Sequence, residues 1–309
     1  MAADFVAVDW GTSSFRLWVM GCDGQIHGES RGPEGMIYCG TAGFGPVLAE
    51  HLNRAKASQN LPVLICGMAG SRQGWLETPY ADIPTLVADL ASQAIQLPDQ
   101  LLTELPNFRD IRILPGLAQR DSAHPDVMRG EETQLLGLAH QAIEGLVCMP
   151  GTHSKWATLQ GDTLTGFTSY ITGEMFDLLS RHSILKHSMP ESRSIAPDNP
   201  DFLAAAEQTI ADPSFLTEAL FPLRAGVLLN YRDQKETQAR LSGLLIGAEV
   251  GRQIANRHVK SVTLVGQKGL GALYAAALTH AGVALRCVDA EDTARQGLLA
   301  TATKIWNLK

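Results

Sequence analysis

The sequence predicts an α/β protein of two domains that repeat one supersecondary unit. Its 309 residues exceed what a single hydrophobic core usually supports, so two domains of about 150 residues are expected. Short apolar runs that indicate strands alternate with segments of helical spacing. A strand, a Gly-Thr turn, a strand, a Gly/Asp turn and a third strand follow each other near the N-terminus and again near residue 150.

The opening stretch FVAVDWGTSSFRLWVM predicts two strands joined by a tight turn. Residues 5–8 form an apolar run too short for a helix, which indicates a buried strand that ends at Asp9. Residues 11–14 are small or carry hydroxyls, and residues 15–20 are mostly apolar again. An Asp-Gly hairpin signal then leads to a third strand at residues 26–31.

This first turn is suited to binding a metal-bound polyphosphate. Gly11 lets the backbone approach an anion, and Thr12 and Ser13 offer amide and hydroxyl donors. Asp9, at the end of a rigid strand, is suited to holding Mg²⁺ through coordinating waters, and Arg16 adds positive charge. The alternative is an ordinary hairpin with a polar turn that Asp9 caps.

The rest of the first domain is predicted to contain helices at residues 44–57 and 85–95 and strands at residues 61–66 and 110–114. Residues 115–128 are polar and interrupted by proline and glycine, which indicates a passage between domains. We therefore expect one domain at residues 1–115 and another at 116–309.

A glycine-rich loop follows the strand at residues 61–66. Residues 67–75 read GMAGSRQGW and include Arg72, and α/β sheets often bind ligands in such loops. The alternative is a flexible surface loop in which Arg72 pairs with Glu77.

A helix is predicted to begin at Gly130, because Leu135, Leu138 and later apolar residues follow helical spacing. Glu131 and Glu132 fall in its first turn, at the expected domain junction. Acidic residues in a first turn also complement the helix dipole, which is the commoner reason for finding them there.

The second half repeats the opening. Strands are predicted at residues 146–149, 156–159 and 163–168, with a turn at 150–155. Three residues of the first turn recur 140 positions later, as Gly151, Thr152 and Ser154. Two such turns could hold one polyphosphate between them, with Arg16 and Lys155 supplying charge. This would replace a P-loop, because the sequence contains no G-x-x-x-x-G-K-[ST] pattern.

A third glycine loop lies near the C-terminus. Gly266, Gly269 and Gly271 follow a predicted strand at residues 261–265 and open a helix that runs to about residue 281. This order differs from the dinucleotide-binding G-x-G-x-x-G, so a nucleoside site and plain helix–strand packing are both open. A strand at 285–288 and a helix from about 291 to 306 complete the chain.

Composition excludes several classes of function. A net charge of −7 and a pI near 5.7 argue against nucleic-acid or anionic-membrane partners. The five cysteines are scattered without a C-x-x-C pair, which favours reduced thiols and a cytoplasmic protein. No apolar run reaches membrane-spanning length, and the N-terminus lacks a signal-peptide pattern. Oligomeric state is not specified, and a homodimer is one option.

Several of these segments together resemble a known family. Residues 9–16 (DWGTSSFR), 150–156 (PGTHSKW) and the third glycine loop resemble the actin-like sugar-kinase ATPase superfamily. Residues 67–75, 128–133 (MRGEET) and 150–156 are similar, more narrowly, to the 2-dehydro-3-deoxygalactonokinase family. The resemblance covers nearly the whole chain, and the inner motifs are long enough to be specific.

The resemblance implies two ribonuclease-H-like domains around an interdomain cleft that holds ATP and Mg²⁺. It implies that the γ-phosphoryl group of ATP moves to the 6-hydroxyl of 2-dehydro-3-deoxy-D-galactonate, a step in galactonate breakdown upstream of an aldolase. The nucleotide would bind mainly to the second domain, and the small sugar acid mainly to the first. The last helix is expected to return to the first domain.

Individual roles follow from the same resemblance. Glu132 is the best positional match to the catalytic base, although relatives carry Asp there, so Glu131 and Asp126 stay open. The phosphate ligands would be Gly11, Thr12, Ser13, Arg16, Gly151, Thr152, Ser154 and Lys155, with Asp9 toward the metal and Gly266, Gly269 and Gly271 beside adenosine. Gly70, Ser71 and Arg72 would bind the sugar acid, with Arg72 facing its carboxylate and Arg224 and Arg193 as alternatives.

Two other functions stay open. A kinase of the same superfamily could act on a different sugar or sugar acid, because donor-site motifs do not determine the acceptor. A non-catalytic sugar-sensing regulator is less favoured, because no basic helix precedes the first strand.

Overall fold

The computed structural model describes residues 3–108, 110–139, 141, 143, 145–191, 194–255 and 259–309. Contacts within the chain group it into two compact units. Unit 1 consists of Met1–Glu144, Leu159–Gly166 and Ala290–Lys309, and unit 2 of Gly145–Thr158 and Phe167–Asp289. The domain boundary expected between residues 115 and 116 remains a prediction. The compact units are defined by contacts, and such a unit can include residues from both sides of a boundary between two repeated domains.

The elements before residue 145 are β1 (Phe5–Trp10), β2 (Phe15–Met20), β3 (Ile26–Gly32), α1 (Met36–Ala42), α2 (Phe44–Arg54), β4 (Val63–Gly67), β5 (Tyr80–Asp82), β6 (Thr85–Leu86), β7 (Ile95–Gln96), β8 (Ile111–Ile113), β9 (Gly116–Gln119), β10 (Asp126–Met128) and α3 (Glu131–Ala139). Short 3₁₀ helices cover Met68–Gly70, Val87–Gln93 and Asp99–Leu101.

The later elements are β11 (Gly145–Met149), β12 (Ser154–Gln160), β13 (Thr163–Tyr170), α4 (Thr172–His182), α5 (Pro200–Ala211), α6 (Leu216–Leu228), α7 (Gln234–Ala255), β14 (Ser261–Val265), α8 (Leu270–His280), β15 (Ala284–Val288) and α9 (Ala290–Trp306). Two further 3₁₀ helices cover Ile184–Ser188 and Pro213–Phe215.

The main sheet of unit 1 has the strand order β3-β2-β1-β4-β8-β7. The first three strands are antiparallel to one another, and β1, β4 and β8 are parallel. Strand β1 lies in the interior because its side chains are almost all apolar and buried, as suits a strand covered on both faces. The opening strand–turn–strand prediction is confirmed.

The sheet of unit 2 repeats this order. Its strands run β15-β14-β11-β12-β13, and β11, β14 and β15 are parallel. The connections between β11, β12 and β13 are too short for parallel crossovers, so these neighbours are antiparallel. Strands β8-β4-β1-β2-β3 of unit 1 follow the same plan, which is that of a ribonuclease-H-like domain. The predicted internal repeat and α/β fold class are confirmed.

One local prediction is wrong. The helix expected at residues 85–95 consists of β6, a 3₁₀ helix and β7, because the spacing of buried Val87, Leu90 and Ala91 suits a 3₁₀ turn as well as an α-helix. The passage expected at 115–128 contains β9 and β10, which pair in a small sheet of order β10-β9-β5.

Unit 1 also includes the end of the β12–β13 hairpin, where Thr163 pairs with Leu86 of β6.

Helices α3 and α9 pack unusually closely within unit 1. A Cβ atom on Gly137 of α3 would lie 2.0 Å from the carbonyl oxygen of Thr293, and one on Gly297 of α9 would lie 1.9 Å from that of Thr133. No larger side chain fits at either position. The close approach fixes the first turn of α3, which carries Glu132, against α9.

Helix α7, with 22 residues, lies in the helical layer of unit 2. Its buried Ile246 and Val250 pack with Phe202 of α5 and Tyr274 of α8, and this cluster covers the apolar side chains of β11 and β14. In the part of the chain that is described, every helix is too short or too polar to cross a membrane.

Candidate active site

The Gly-Thr turn of unit 1 is supported from behind by helix α1. The backbone N–H of Met36 donates to the carbonyl of Gly11 at 3.0 Å, and that of Ile37 to the carbonyl of Thr12 at 3.1 Å. The side chains of Thr12 and Ser13 are exposed, and within the described residues their hydroxyls form no hydrogen bond. The turn therefore keeps hydroxyl donors available for a solute.

The Gly-Thr turn of unit 2 has the same support. The backbone N–H of Glu174 in α4 donates to the carbonyl of Thr152 at 3.0 Å, and a Cβ on Gly173 would lie 2.5 Å from the carbonyl oxygen of Gly151. In unit 1, a Cβ on Gly35 would likewise lie 2.5 Å from Cα of Ser13. Each turn thus rests on a helix N-terminus through a glycine, a repeated feature that sequence analysis missed.

Asp9 lies at the end of β1 in a charged cluster. Its carboxylate accepts a 3.0 Å hydrogen bond from Arg16, whose Nε lies 4.0 Å from Glu291. Burial raises the pKa of Asp9; Arg16 opposes this and Glu291 adds to it. An added cation would stabilise the anionic form, and a strand-end carboxylate is a ligand that Mg²⁺ accepts, so the residues fit the predicted ion.

Glu132 is fully buried at the start of α3. Its carboxylate accepts a 2.5 Å hydrogen bond from the backbone N–H of Gly130 and a 3.3 Å bond from the hydroxyl of Thr133. Burial raises the pKa of Glu132 to about 8, the charge of Glu131 adds to this, and backbone hydrogen bonds oppose it. A carboxyl with so high a pKa is a strong proton acceptor once ionised.

The other two candidate bases lie in more open surroundings. Glu131 is half-buried, and its carboxylate accepts from the backbone N–H of Arg129 at 3.2 Å. Asp126, also half-buried, lies in β10 and accepts from the N–H of Val127 at 2.8 Å. Burial and the shifted pKa therefore favour Glu132 as the base.

Cys66 connects the surroundings of Asp9 and Glu132. Its Sγ lies 3.9 Å from Oδ1 of Asp9. Burial raises the pKa of the Cys66 thiol well above its ordinary value, and the charges of Asp9 and Glu132 add to this. Asp9, the predicted metal ligand, and Glu132, the predicted base, thus both raise the pKa of the Cys66 thiol within unit 1.

The glycine-rich loop after β4 is well ordered by its own backbone. The N–H of Trp75 donates to the carbonyl of Ala69 at 2.7 Å, and that of Gly74 to the carbonyl of Ser71 at 2.8 Å. Ser71 is buried, whereas Arg72 is exposed. The alternative ion pair between Arg72 and Glu77 is absent from the described residues.

A different arginine lies against this loop. A Cβ on Gly70 would come within 2.7 Å of Nη1 of Arg129, whose guanidinium contacts Thr78 and the ring of Tyr80. Arg129 was not predicted as a site residue from the sequence, although it lies inside the MRGEET motif. Arg224 donates to Ser188 at 3.1 Å in unit 2, and Arg193 lies outside the described residues.

Unit 2 contains a cavity of about 390 Å³ that joins the Gly-Thr turn to the third glycine loop. Gly266 and Gly269 have φ of +108° and +56°, which only glycine adopts readily, and Gly269 precedes α8 directly. The cavity is lined by Gly151, Thr152, Thr172, Gly173, Phe176, Ser194, Ile195, Ser242, Leu245, Ile246, Gly269, Leu270 and Leu273. Its volume and largely apolar wall suit a nucleoside.

Ser154 and Lys155 of the second turn are buried. The Ser154 hydroxyl donates to Glu249 at 2.7 Å, so its single proton is not available to a phosphate while that bond persists. The ammonium of Lys155 donates to the carbonyl of His153 at 3.3 Å. Glu249 is a further residue that sequence analysis missed.

Comparison with known proteins agrees with these features. The model of a family described as 2-keto-3-deoxy-galactonokinase matches residues 9–301. A protein of Rhizobium meliloti (strain 1021) named as a probable 2-dehydro-3-deoxygalactonokinase is 48% identical over 99% of both chains. The 2-dehydro-3-deoxygalactonokinase of Escherichia coli (strain K12) is 32% identical over 99% of this chain and 100% of its own. A crystal structure of a Sinorhizobium meliloti protein described by the same activity superposes with a TM-score of 0.92 at 48% identity, covering 98% of this chain and 100% of that one.

Proposed function

Because the chain belongs to the 2-keto-3-deoxy-galactonokinase family, we propose that it transfers the γ-phosphoryl group of ATP to the 6-hydroxyl of 2-dehydro-3-deoxy-D-galactonate. Similarity to kinases of this name along nearly the whole chain is the observation that carries the proposal. The protein is therefore a phosphotransferase with an alcohol acceptor, and we propose that it acts in the cytoplasm in the breakdown of galactonate.

We assign the adenosine of ATP to the cavity of unit 2, beside Gly266, Gly269 and Gly271. The support is that the cavity reaches from Gly269 to Gly151 and Thr152, so a base at one end would direct phosphates toward the turn. The full set of proposed phosphate ligands is Gly11, Thr12, Ser13, Arg16, Gly151, Thr152, Lys155 and the backbone of Ser154. Phosphoryl transfer depends mainly on such alignment and charge neutralisation.

We assign the general base to Glu132. Its ionised carboxylate would take the proton of the 6-hydroxyl while that oxygen bonds to the γ-phosphorus and the bond to the bridging oxygen of ADP breaks. The support is its burial and its raised pKa. Water is largely excluded from a buried carboxylate, which limits wasteful ATP hydrolysis.

Asp9 is the proposed ligand of Mg²⁺, and Gly70, Ser71 and Arg72 are the proposed contacts of the sugar acid. When bound, Mg²⁺ neutralises phosphate charge. The support for Asp9 is its place at the end of β1 and the burial that raises its pKa, an effect to which the charge of Glu291 adds. The support for the loop is its ordered backbone after β4.

The proposal is tested by measuring ADP release with a panel of acceptors. The panel contains 2-dehydro-3-deoxy-D-galactonate, its gluconate epimer, D-galactonate and D-galactose. We expect the highest kcat/KM for 2-dehydro-3-deoxy-D-galactonate. Carbon–phosphorus coupling in the NMR spectrum of the product should show that the phosphate is on C6. A higher kcat/KM for another acceptor would assign a different kinase activity. No ATP turnover with any acceptor would contradict the kinase function itself.

A further inference from the structure

The guanidinium of Arg129 is held in one orientation. Its Nη1 donates to the hydroxyl of Thr78 at 2.6 Å, and its Nη2 to the carbonyl of Thr78 at 2.9 Å. Thr78 is itself buried, with its hydroxyl 3.2 Å from the carbonyl of Gly70 and 3.1 Å from that of Leu114. The carbon Cζ of Arg129 lies 4.5 Å from the centre of the Tyr80 ring. These contacts fix the plane of the guanidinium.

The opposite edge of this guanidinium has no partner among the described residues. The Nε atom is buried and, within the described residues, has no hydrogen-bond acceptor. Nη1 and Nη2 both contact Thr78, so the N–H of Nη2 on the edge shared with Nη1 is used there. The second N–H of Nη2 lies parallel to the N–H of Nε. Within the same part of the chain, no carboxylate forms an ion pair with Arg129. A half-buried cation with two parallel donors unused fits a carboxylate from a ligand.

The position of Arg129 also suits the acceptor. It stands three residues before Glu132, and its Nη1 lies against Gly70, where a Cβ would come within 2.7 Å. A six-carbon sugar acid carries its carboxylate at C1 and its reacting hydroxyl at C6. It therefore needs an anion site near the base but separate from it.

We propose that Arg129 binds the carboxylate of the acceptor through Nε and Nη2, and thereby selects sugar acids over neutral sugars. Thr78 is the positioning residue that holds the free edge toward the ligand. The inference rests on the proposed function, because it assumes that an anionic sugar is the acceptor. Binding of the sugar-acid carboxylate, first assigned to Arg72, is thereby assigned to Arg129, whose guanidinium has a fixed orientation.

The experiment compares the sugar acid with its C1 carboxamide, which keeps the shape and loses the charge. The measured quantity is the ratio of kcat/KM for the acid to that for the amide. We expect Arg129→Gln to lower this ratio about 100-fold and Arg129→Lys about 10-fold, since lysine keeps the charge but not the paired donors. Thr78→Val should lower the ratio, because the hydroxyl that accepts from Nη1 of Arg129 is lost, although the backbone carbonyl that accepts from Nη2 is kept. The exposed Arg54, paired with Glu50, provides the matched control Arg54→Gln, with an unchanged ratio.

Three outcomes are informative. An unchanged ratio in both Arg129 variants would overturn the inference while leaving the kinase function intact, and Arg129→Lys serves if Arg129→Gln does not fold. If only Arg72→Gln lowers the ratio of kcat/KM for the acid to that for the amide, the carboxylate-binding role belongs to Arg72. If the wild-type protein fails to phosphorylate the sugar acid at all, the proposed function fails first and the inference fails with it.

Discussion

The buried carboxylate of Glu249 accepts a 2.6 Å hydrogen bond from the indole nitrogen of Trp156. It also accepts from Ser154 at 2.7 Å, from Tyr274 at 2.7 Å and from Thr172. These donors come from β12, α8 and the start of α4, so one side chain on α7 joins the elements around the cavity of unit 2. Four donors offset the cost of burying the charge.

We expect Glu249→Gln to raise the KM for ATP roughly tenfold and to change the KM for the sugar acid little. The amide of glutamine has one acceptor oxygen instead of two, and its N–H groups would face the other donors. This should displace Thr172 and the Gly-Thr turn of unit 2. Steady-state kinetics with each substrate varied measures the split. The exposed Glu207, which lies 3.6 Å from His280, gives the control Glu207→Gln. Equal changes in both KM values would make Glu249 merely structural.

We expect Glu132→Gln to lower kcat roughly 100-fold with a nearly unchanged KM for ATP, the usual scale for a lost general base. The substitution preserves the size of the side chain and removes its ability to accept the proton. Glu131→Gln is the matched comparison, because it changes the neighbouring, more exposed carboxylate. A near-normal kcat for Glu132→Gln, or a larger loss in Glu131→Gln, would remove Glu132 from the role.

The raised pKa of Glu132 also predicts a pH-dependent stability. The folded protein holds the proton up to about pH 8, whereas the unfolded chain releases it near the ordinary value of 4.5. Folding therefore binds a proton between these values, and the free energy of unfolding falls as pH rises through this window. Glutamine carries no charge at any pH. We expect Glu132→Gln to melt several degrees above the wild type at pH 8 and close to it at pH 4.5. The reverse order of melting temperatures would contradict the assignment.

The fold is predictable from the sequence because its signals are local. The apolar run of β1, the Gly-Thr turns and the Asp-Gly hairpin each depend on neighbouring residues, and their order repeats after 140 positions. Glu249 and its donors Ser154 and Trp156 lie 95 and 93 residues apart, and Arg129 and Thr78 lie 51 apart. No periodicity links such pairs, so only the folded chain identifies these parts of the site.

Gly173 is expected to be intolerant of a side chain. The Cβ of Gly173→Ala would lie 2.5 Å from the carbonyl oxygen of Gly151 and 2.9 Å from Cα of Thr152, so α4 and the turn must separate. We expect the KM for ATP to rise at least tenfold, measured by steady-state kinetics. Gly40→Ala is the control, because a Cβ at this helical position meets no atom within 4 Å. An unchanged KM for ATP in Gly173→Ala would show that the turn does not need this support.

Asp9→Asn tests the metal assignment without changing the size of the side chain. Asparagine keeps one carbonyl oxygen but loses the charge that draws a divalent cation, so we expect the Mg²⁺ concentration at half-maximal rate to rise about tenfold. The loss of the 3.0 Å pair also releases Arg16, which would alter the KM for ATP even at saturating Mg²⁺. Titrating Mg²⁺ at several ATP concentrations separates these effects. Asp23→Asn, in the following hairpin turn, is the control. A normal Mg²⁺ requirement with an altered KM for ATP would mean that Asp9 orients Arg16 and does not serve the ion.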